Sequence, residues 1–188
     1  MINIAIFGGS FNPFHQGHLF VCNKLLKLGF DKVFIMPTKI NPLKTHIPTP
    51  SLTARLLACK QALQNNPKLK VCDYEKLSPS NNTAIVMKEV KKRYSKHYNI
   101  TFAMGQDNLL TIHKWPFYLR LVDGFNIVII SRGSDVMQKI KYTKTPFAIR
   151  FKNNIITNKS CKSNGIRYLY CSSPDVSSSK IRSSICKM

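Results

Sequence analysis

Acidic side chains are scarce in this sequence. The 188 residues include 8 Asp and Glu against 29 Lys and Arg, which gives a formal net charge of +21. Chemistry based on carboxylates therefore has few candidates. The positive charge has two explanations: an anionic partner, either a nucleotide or a nucleic acid, or a compositional bias spread over solvated helix faces.

Long apolar runs and closely spaced cysteines are also lacking. No apolar run approaches the ~20 residues needed to span a bilayer, and the first residues lack the basic and apolar regions of a signal peptide. The six cysteines show no CxxC spacing and fall mostly within predicted helices and strands, where a free thiol packs as a small apolar group. We therefore expect a cytoplasmic protein with no membrane association and no disulfide framework.

Strand-like and helix-like segments alternate along the chain. The predicted strands are 2–7, 32–36, 69–73, 100–104, 126–131 and 166–171, and the predicted helices are 18–28, 51–65, 83–96 and 177–186. Residues 146–157 fit either a hairpin or irregular structure. The alternation predicts an α/β fold with right-handed crossovers and a doubly wound, mostly parallel sheet. The length favours one domain over 1–188, with a C-terminal helix segment at 176–186.

An unusual turn, GGSFNPFHQGH, follows the first predicted strand at residues 8–18. Gly8 and Gly9 permit a tight turn and a close approach of the backbone to a ligand. In a doubly wound sheet, ligands bind beyond the carboxyl ends of the strands, which is where this turn would lie. The start of the helix that follows offers unpaired N–H groups to a phosphate.

His15 and His18 stand three residues apart in this turn, so both imidazoles could face one anion. They could be structural histidines, metal ligands together with Cys22, or phosphate-binding groups. Zinc is disfavoured because the sequence offers no nearby fourth ligand. The glycine turn and the helix start favour phosphate.

A second informative segment is VSSSKIR, residues 176–182. Ser177 is a good N-cap for the last predicted helix. Ser178 and Arg182 would add a hydroxyl and a cation to the same helix start. Because this helix follows the last predicted strand, its N-terminus can face the same cleft as the first helix. Two helix N-termini, two histidines and one arginine would then surround one polyphosphate.

Together the two segments resemble the (H/T)xGH and SSxxIR signatures of the nucleotidyltransferase superfamily. Three further segments resemble the nicotinate-nucleotide adenylyltransferases of bacterial NAD synthesis. They are NPLK at 41–44, MGQDNLLTIHKW at 104–115 and ISRG at 130–133. The resemblance covers residues 1–133 and 166–186 and is thin over 134–165. The family usually carries a G-x-x-Y-T pattern after the third strand, and here SPSNNT places Asn82 before Thr83 instead of an aromatic residue.

The resemblance implies a Rossmann-like nucleotidyltransferase fold. The implied reaction transfers an adenylyl group from ATP to nicotinate mononucleotide and gives deamido-NAD and pyrophosphate. A phosphate nucleophile is already anionic at neutral pH, so the reaction needs no side-chain base, in keeping with the scarcity of carboxylates. Mg²⁺ would be carried on the phosphates, with few protein ligands.

The resemblance also implies roles for individual residues. The catalytic set is His15, His18 and Arg182. The ATP-binding set is Gly8, Gly9, Ser10, Phe11, His15, His18, Lys44, Ser177, Ser178 and Arg182. The acceptor-binding set is Thr83, Asp107, Trp115 and Arg132. Asp107 would touch ribose or a metal-bound water, and Trp115 would stack on the pyridine ring. The alternatives are that Asp107 only caps a short helix and that Trp115 belongs to the core.

Two other functions stay open at this level. The first is a related nucleotidyltransferase of the phosphopantetheine or cytidylyl type. The second, from a different class, is a basic nucleic-acid-binding protein, although the sequence shows no basic and aromatic ladder and no zinc fingers. Binding of any specific nucleic acid is therefore not expected. The sequence leaves open whether the acceptor is the acid or the amide and whether the protein is a monomer or a homo-oligomer.

Overall fold

The computed structural model describes residues 1–39, 50–78, 80–131, 144–156, 165–169, 171 and 178–185. The strands are β1 (Ile2–Gly9), β2 (Lys32–Pro37), β3 (Leu69–Val71), β4 (Tyr98–Gly105), β5 (Asn126–Ile130), β6 (Ile155–Ile156) and β7 (Ile166–Leu169). They form one seven-stranded sheet in the order β3-β2-β1-β4-β5-β7-β6. Every neighbouring pair is parallel, as the sequence predicts.

Seven α-helices are described: α1 (Gln16–Lys27), α2 (Leu52–Leu63), α3 (Tyr74–Leu77), α4 (Thr83–Tyr94), α5 (Tyr118–Gly124), α6 (Pro146–Arg150) and α7 (Ser178–Ile185). Short 3₁₀ helices span Gln106–Leu110, Ile112–Lys114 and Lys152–Asn154. Side chains of α1 and α2 pack on one face of the sheet, and those of α4, α5 and α6 pack on the other. This is the doubly wound arrangement.

The central strand β1 shows why helices pack on both faces of the sheet. Ile4 and Ile6 belong to the core on the α4 side, and Ala5 and Phe7 belong to the core on the α1 side. All four are buried. A strand buried on both faces has a continuous apolar run rather than an alternating pattern, which is what the sequence shows here.

The carboxyl end of β1 lies at the point where the strand order changes direction. β1 pairs with β2 on one side and with β4 on the other. Chain connections run outward from these strands in both directions, so the crevice between β1 and β4 is the topological switch point. The turn that follows β1 leaves the sheet at this crevice.

The predicted strands and the four predicted helices are confirmed in order, with differences at their ends, whereas α3 and α5 were not predicted. β1 continues two residues beyond the prediction, and α1 begins at Gln16 because His15 is its N-cap. Residues 146–157, which fitted a hairpin or irregular structure, form α6, a 3₁₀ turn and the edge strand β6. Thr145 caps α6 and Pro146 occupies its first turn, a helix start signal that the sequence reading missed.

No helix in the described ranges is long and apolar enough to cross a membrane. Among the same residues the cysteines are free thiols: Cys22, Cys59, Cys72 and Cys171.

Gly29 ends α1 with a φ of +96°, a backbone conformation that costs little only for glycine. We expect Gly29→Ala to lower the free energy of unfolding by about 1 kcal/mol. Gly124→Ala is the matched control, because a Cβ at Gly124 would meet no atom within 4 Å. Urea titrations of both variants test this, and equal midpoints for the two would contradict it.

Candidate functional site

The two glycines at the end of β1 are fixed by packing. A Cβ at Gly8 would lie 3.0 Å from Cε2 of Phe102 on the neighbouring strand β4. A Cβ at Gly9 would lie 3.0 Å from Cζ of Phe11. Sequence reasoning explained these glycines by the approach of a ligand. The structure adds that neither position has room for a side chain.

Phe11 turns its ring inward from a backbone φ of +44°. The ring is buried and meets Phe7 edge-on at 5.2 Å between centroids and His18 at 4.9 Å. The predicted ATP-binding set includes Phe11, and from this position only its backbone could contact a nucleotide. The ring instead packs against the imidazole of His18.

His15 and His18 form the start of α1. His15 is the N-cap, and its Nδ1 accepts a hydrogen bond from the backbone N–H of Gly17 at 3.1 Å. Nδ1 of His18 accepts from the backbone N–H of His15 at 3.2 Å. An Nδ1 that accepts carries no proton, so each neutral ring carries its proton on Nε2. The caps thus leave Nε2–H as the donor of both imidazoles.

The two imidazoles lie against each other, with ring centroids 3.8 Å apart, and both are buried. Phe7, Phe11 and Phe14 surround the His18 ring. Because these contacts fix the ring positions without a ligand, the pair is preorganised.

Helix α7 docks on the turn that carries these histidines. Oγ of Ser178 donates to the carbonyl oxygen of Pro13 at 3.1 Å, across 165 residues of sequence. Nη1 of Arg182 donates to the carbonyl oxygen of Asn12 at 2.5 Å. The structure therefore brings Ser178 and Arg182 onto the turn after β1, two to three residues before His15, as the sequence predicts.

A second group of predicted residues meets at the start of α4. Thr83 is its first residue and is buried, and Trp115 lies opposite. Together with Asn82, Ala84, Pro116, Tyr118 and Leu121 they line a pocket of about 10 Å³, the size of one water molecule. Nε1 of Trp115 is buried without a hydrogen-bond partner among the described residues. Trp115 also packs against the core, so both interpretations of it keep a structural basis.

Asn82, the residue that replaces the aromatic of the family pattern, is the N-cap of α4. Its Oδ1 accepts from the backbone N–H of Ala84 at 2.9 Å. Asparagine is among the best residues for this position. The departure therefore has a local structural role.

Asp107 is exposed in the 3₁₀ helix that follows β4 at the same sheet edge. The N-cap of that helix is Gly105, so the alternative of Asp107 as an N-cap is wrong. Three other predicted site residues, Lys44, Arg132 and Ser177, lie outside the described residues.

A zinc site at His15, His18 and Cys22 finds no support. The Cys22 thiol is buried in the core on the α1 side of the sheet, and burial raises its pKa far above the ordinary value. A thiol that resists deprotonation is a poor metal ligand. In the part of the chain that the structure describes, no three His, Cys, Asp or Glu side chains could hold a metal together.

Sequence reasoning missed two buried charged residues beside the site. Arg55 in α2 is 1% exposed, and Glu75 in α3 is fully buried. Burial raises the pKa of Glu75 to about 7, and the bond from the backbone of Lys39 and the charges of Lys39 and Arg55 oppose that rise. The sequence could have predicted the burial of Arg55 from its spacing. It stands three residues after Leu52 and four before Cys59, which puts it on the core-facing side of α2.

A parallel doubly wound sheet with two helix starts and a histidine pair at its switch point defines a nucleotide-binding α/β protein. Residues 6–184 match the family model described as Cytidylyltransferase-like, and the chain belongs to that family.

Two relatives with the same name are similar to this chain over about three quarters of its length. The chain is 35% identical over 141 residues to a probable nicotinate-nucleotide adenylyltransferase of Agrobacterium fabrum, a match that covers 74% of each chain. It is 39% identical over 143 residues to the protein of the same name from Nitratiruptor, covering 74% of this chain and 80% of the relative.

Solved structures support the fold. The structure of Plasmodium falciparum nicotinic acid mononucleotide adenylyltransferase complexed with NaAD superposes with a TM-score of 0.66 at 22% identity, over 97% of this chain and 83% of the other. A putative nicotinate-nucleotide adenylyltransferase from Vibrio parahaemolyticus gives 0.58 at 19% identity, over 100% of this chain and 88% of the other.

The contact between Gly9, Phe11 and His18 can be tested by substitution. In Gly9→Ala the new methyl group must push the Phe11 ring, which in turn displaces His18. We expect turnover to fall several-fold, because relieving a 3.0 Å contact moves the ring by a few tenths of an ångström, less than the ~1 Å displacement that costs about 10²-fold. Adding Phe11→Leu should relieve the clash and restore part of the rate. A double variant no faster than Gly9→Ala would contradict this route.

Proposed function

We propose that the protein transfers the adenylyl group of ATP to nicotinate mononucleotide, giving deamido-NAD and pyrophosphate in NAD biosynthesis. The observation that carries the proposal is the docking of Ser178 and Arg182 of α7 on Pro13 and Asn12, in the turn that leads to His15 at the switch point of the sheet. The names of the relatives at 35% and 39% identity support it, and so does the fold shared with an enzyme bound to NaAD.

The reaction forms one bond and breaks one. A phosphate oxygen of the mononucleotide attacks the α-phosphorus of ATP, and the bond from that phosphorus to the bridging oxygen of the β-phosphate breaks. Pyrophosphate leaves with the electron pair. The nucleophile is already ionised at neutral pH, so catalysis reduces to alignment and to stabilisation of the charge on the departing group.

The start of α1 and helix α7 offer the donors for this task. Nε2–H of His15 and His18 would donate to the phosphates of ATP, with His18 nearest the reacting phosphorus. Arg182 and the hydroxyl of Ser178 would hold the β- and γ-phosphates. The fixed Nδ1 caps support this assignment, because fixed donors need no reorganisation as charge develops. Gly8, Gly9, Ser10 and the Phe11 backbone would contact the nucleotide at the turn, and Ser177 and Lys44 complete the proposed ATP set.

Mg²⁺ fits this site as part of the MgATP substrate. The described side chains around the turn are imidazoles, hydroxyls and a guanidinium, whereas Mg²⁺ prefers oxygen ligands such as carboxylates and phosphates. Asp107, exposed in the 3₁₀ helix that follows β4, would touch ribose or a metal-bound water.

The acceptor would bind at the start of α4. Thr83 would bind the pyridine carboxylate through its hydroxyl and backbone N–H, and Trp115 would stack on the ring, with Arg132 completing the proposed set. The pocket between them is too small for a pyridine ring as it stands. Entry of the ring therefore requires Trp115 or Tyr118 to move. The buried, unbonded Nε1 of Trp115 supports a ligand contact there, since such groups in native proteins usually have a functional reason.

We also propose a single domain over residues 1–188 and a cytoplasmic location, where its substrates and a reducing environment for the free thiols are found.

A related nucleotidyltransferase activity is the second candidate, because the matching family model is the general Cytidylyltransferase-like one. To distinguish the two activities, pyrophosphate release from MgATP is measured with each of three acceptors. These are nicotinate mononucleotide, nicotinamide mononucleotide and 4′-phosphopantetheine. We expect kcat/KM for nicotinate mononucleotide to exceed the other two by roughly 10²-fold or more, because a site that bonds a substrate group rejects analogues lacking it. Turnover with phosphopantetheine alone would overturn the proposal.

His18→Ala removes one preorganised donor from the phosphates. We expect kcat to fall by about 10²–10³-fold, the usual cost of losing such a donor. His97→Ala is the matched control, since His97 is exposed beyond the end of α4. Near-normal turnover of His18→Ala would show that the phosphate role is wrong.

A further inference from the structure

The backbone carbonyls around the phosphate turn converge on one buried guanidinium. Nη1 of Arg55 donates to the carbonyl oxygen of Ser10 at 2.6 Å. Nη2 donates to that of Lys39 at 3.2 Å. Nε donates to that of Pro50 at 3.2 Å. All three nitrogen atoms of the side chain are therefore used to hold main chain from three different places in the sequence.

These three places belong to the loops that would form the nucleotide site. Ser10 lies between the glycines that end β1 and the histidine pair. Lys39 follows β2, and Pro50 precedes the N-cap of α2. Arg55 itself is too deeply buried to reach a nucleotide, so its effect on ATP must pass through Ser10.

Lys39 continues the connection toward the acceptor side. Its backbone N–H donates to Oε2 of Glu75, and its Nζ donates to the carbonyl oxygen of Ser78 at 2.9 Å. Glu75 is fully buried, so this carboxylate is a fixed acceptor inside the protein.

From Ser78 the bonds run to the start of α4. The backbone N–H of Ser80 donates to Oγ of Ser78 at 3.2 Å, and that of Asn82 donates to Oγ of Ser80 at 3.1 Å. Asn82 is the cap that fixes Thr83 and Ala84 at the first turn. One hydrogen-bonded series therefore joins the turn after β1 to the proposed pyridine pocket.

We propose that Arg55 and Lys39 are positioning residues for this reaction: Arg55 holds the turn that binds ATP, and Lys39 holds the segment that binds the acceptor. The inference rests on the proposed function for the identity of the acceptor. The guanidinium is required because its planar fork can satisfy three carbonyls at once, whereas an ammonium group offers donors from a single atom.

The main test compares Arg55→Lys and Arg55→Met with Lys60→Met. Lys60 is exposed on the same helix, so its variant removes one positive charge without touching these loops. The probe is an ATP analogue with a methylene group between the α- and β-phosphates, which binds but cannot be cleaved. Its Kd, measured by calorimetry without acceptor, is compared with the steady-state KM for ATP and with kcat.

We expect Arg55→Lys to weaken binding of the analogue about tenfold or more and to raise the KM for ATP in parallel, because a misplaced turn no longer matches the phosphates. Lys60→Met should bind as the parent enzyme does. If folded Arg55→Lys binds the analogue within twofold of the parent, the proposal is overturned. A fall in kcat with unchanged Kd and KM would also overturn it, since that pattern reports only a smaller folded fraction.

Arg55→Met leaves three carbonyls without a donor, and the variant could fail to fold. Circular dichroism shows whether Arg55→Met is folded. If it is not, the result for Arg55→Lys alone tests the proposal.

Lys39→Met tests the acceptor end of this hydrogen-bonded series without changing the ATP end. It removes the bond to Ser78 and keeps the backbone bonds to Arg55 and Glu75. We expect the KM for nicotinate mononucleotide to rise about tenfold while the Kd of the ATP analogue stays the same. An unchanged acceptor KM would overturn the role of Lys39. If the parent enzyme does not use nicotinate mononucleotide at all, the proposed function fails, and the calorimetric comparison still tests Arg55.

Discussion

Everything at this site depends on how the turn after β1 is held in place. The carbonyl oxygens of Ser10, Asn12 and Pro13 each accept a hydrogen bond from a residue distant in sequence. The donors are Arg55 in α2 and Arg182 and Ser178 in α7. A loop of this length has many conformations when free, and restricting each residue costs about 1–2 kcal/mol of backbone entropy. These hydrogen bonds restrict the turn during folding, before a ligand binds, so the histidine pair keeps its position.

This way of holding the turn also suits a chain with few acids. Only 8 Asp and Glu are available for 29 Lys and Arg. The buried or half-buried cations at the site bond to main-chain carbonyls: Arg55 to three of them, Arg182 to Asn12 and Lys39 to Ser78. Neutral carbonyls satisfy these donors without a carboxylate for each. Glu75 lies near Arg55 and Lys39, and their charges oppose the rise in its pKa that burial causes.

Sequence reasoning found the fold and the two phosphate segments because both have strong local signals. Buried parallel strands give apolar runs, and a glycine turn before a helix is visible in one short stretch. The same reasoning missed α6, since a helix of five residues is too short to show a period. It missed Arg55 because two signals conflict there. The helical period predicts that position 55 faces the core, whereas an arginine is usually exposed to solvent. Only the fold shows that three carbonyls meet there, and they come from segments up to 45 residues away.

The histidine pair shows a second limit of sequence reasoning. Spacing predicted that both imidazoles lie together at the helix start, but it did not show that each Nδ1 is bonded to the backbone there. That difference has a chemical consequence. Because both Nδ1 atoms accept from the backbone, each neutral ring carries its proton on Nε2, and in the proposed reaction this N–H would donate to phosphate. Arg182, which donates to the carbonyl oxygen of Asn12, adds a guanidinium beside this pair. In the proposed reaction, donors that the fold holds in place and the guanidinium of Arg182 would together stabilise the charge that develops on the departing pyrophosphate.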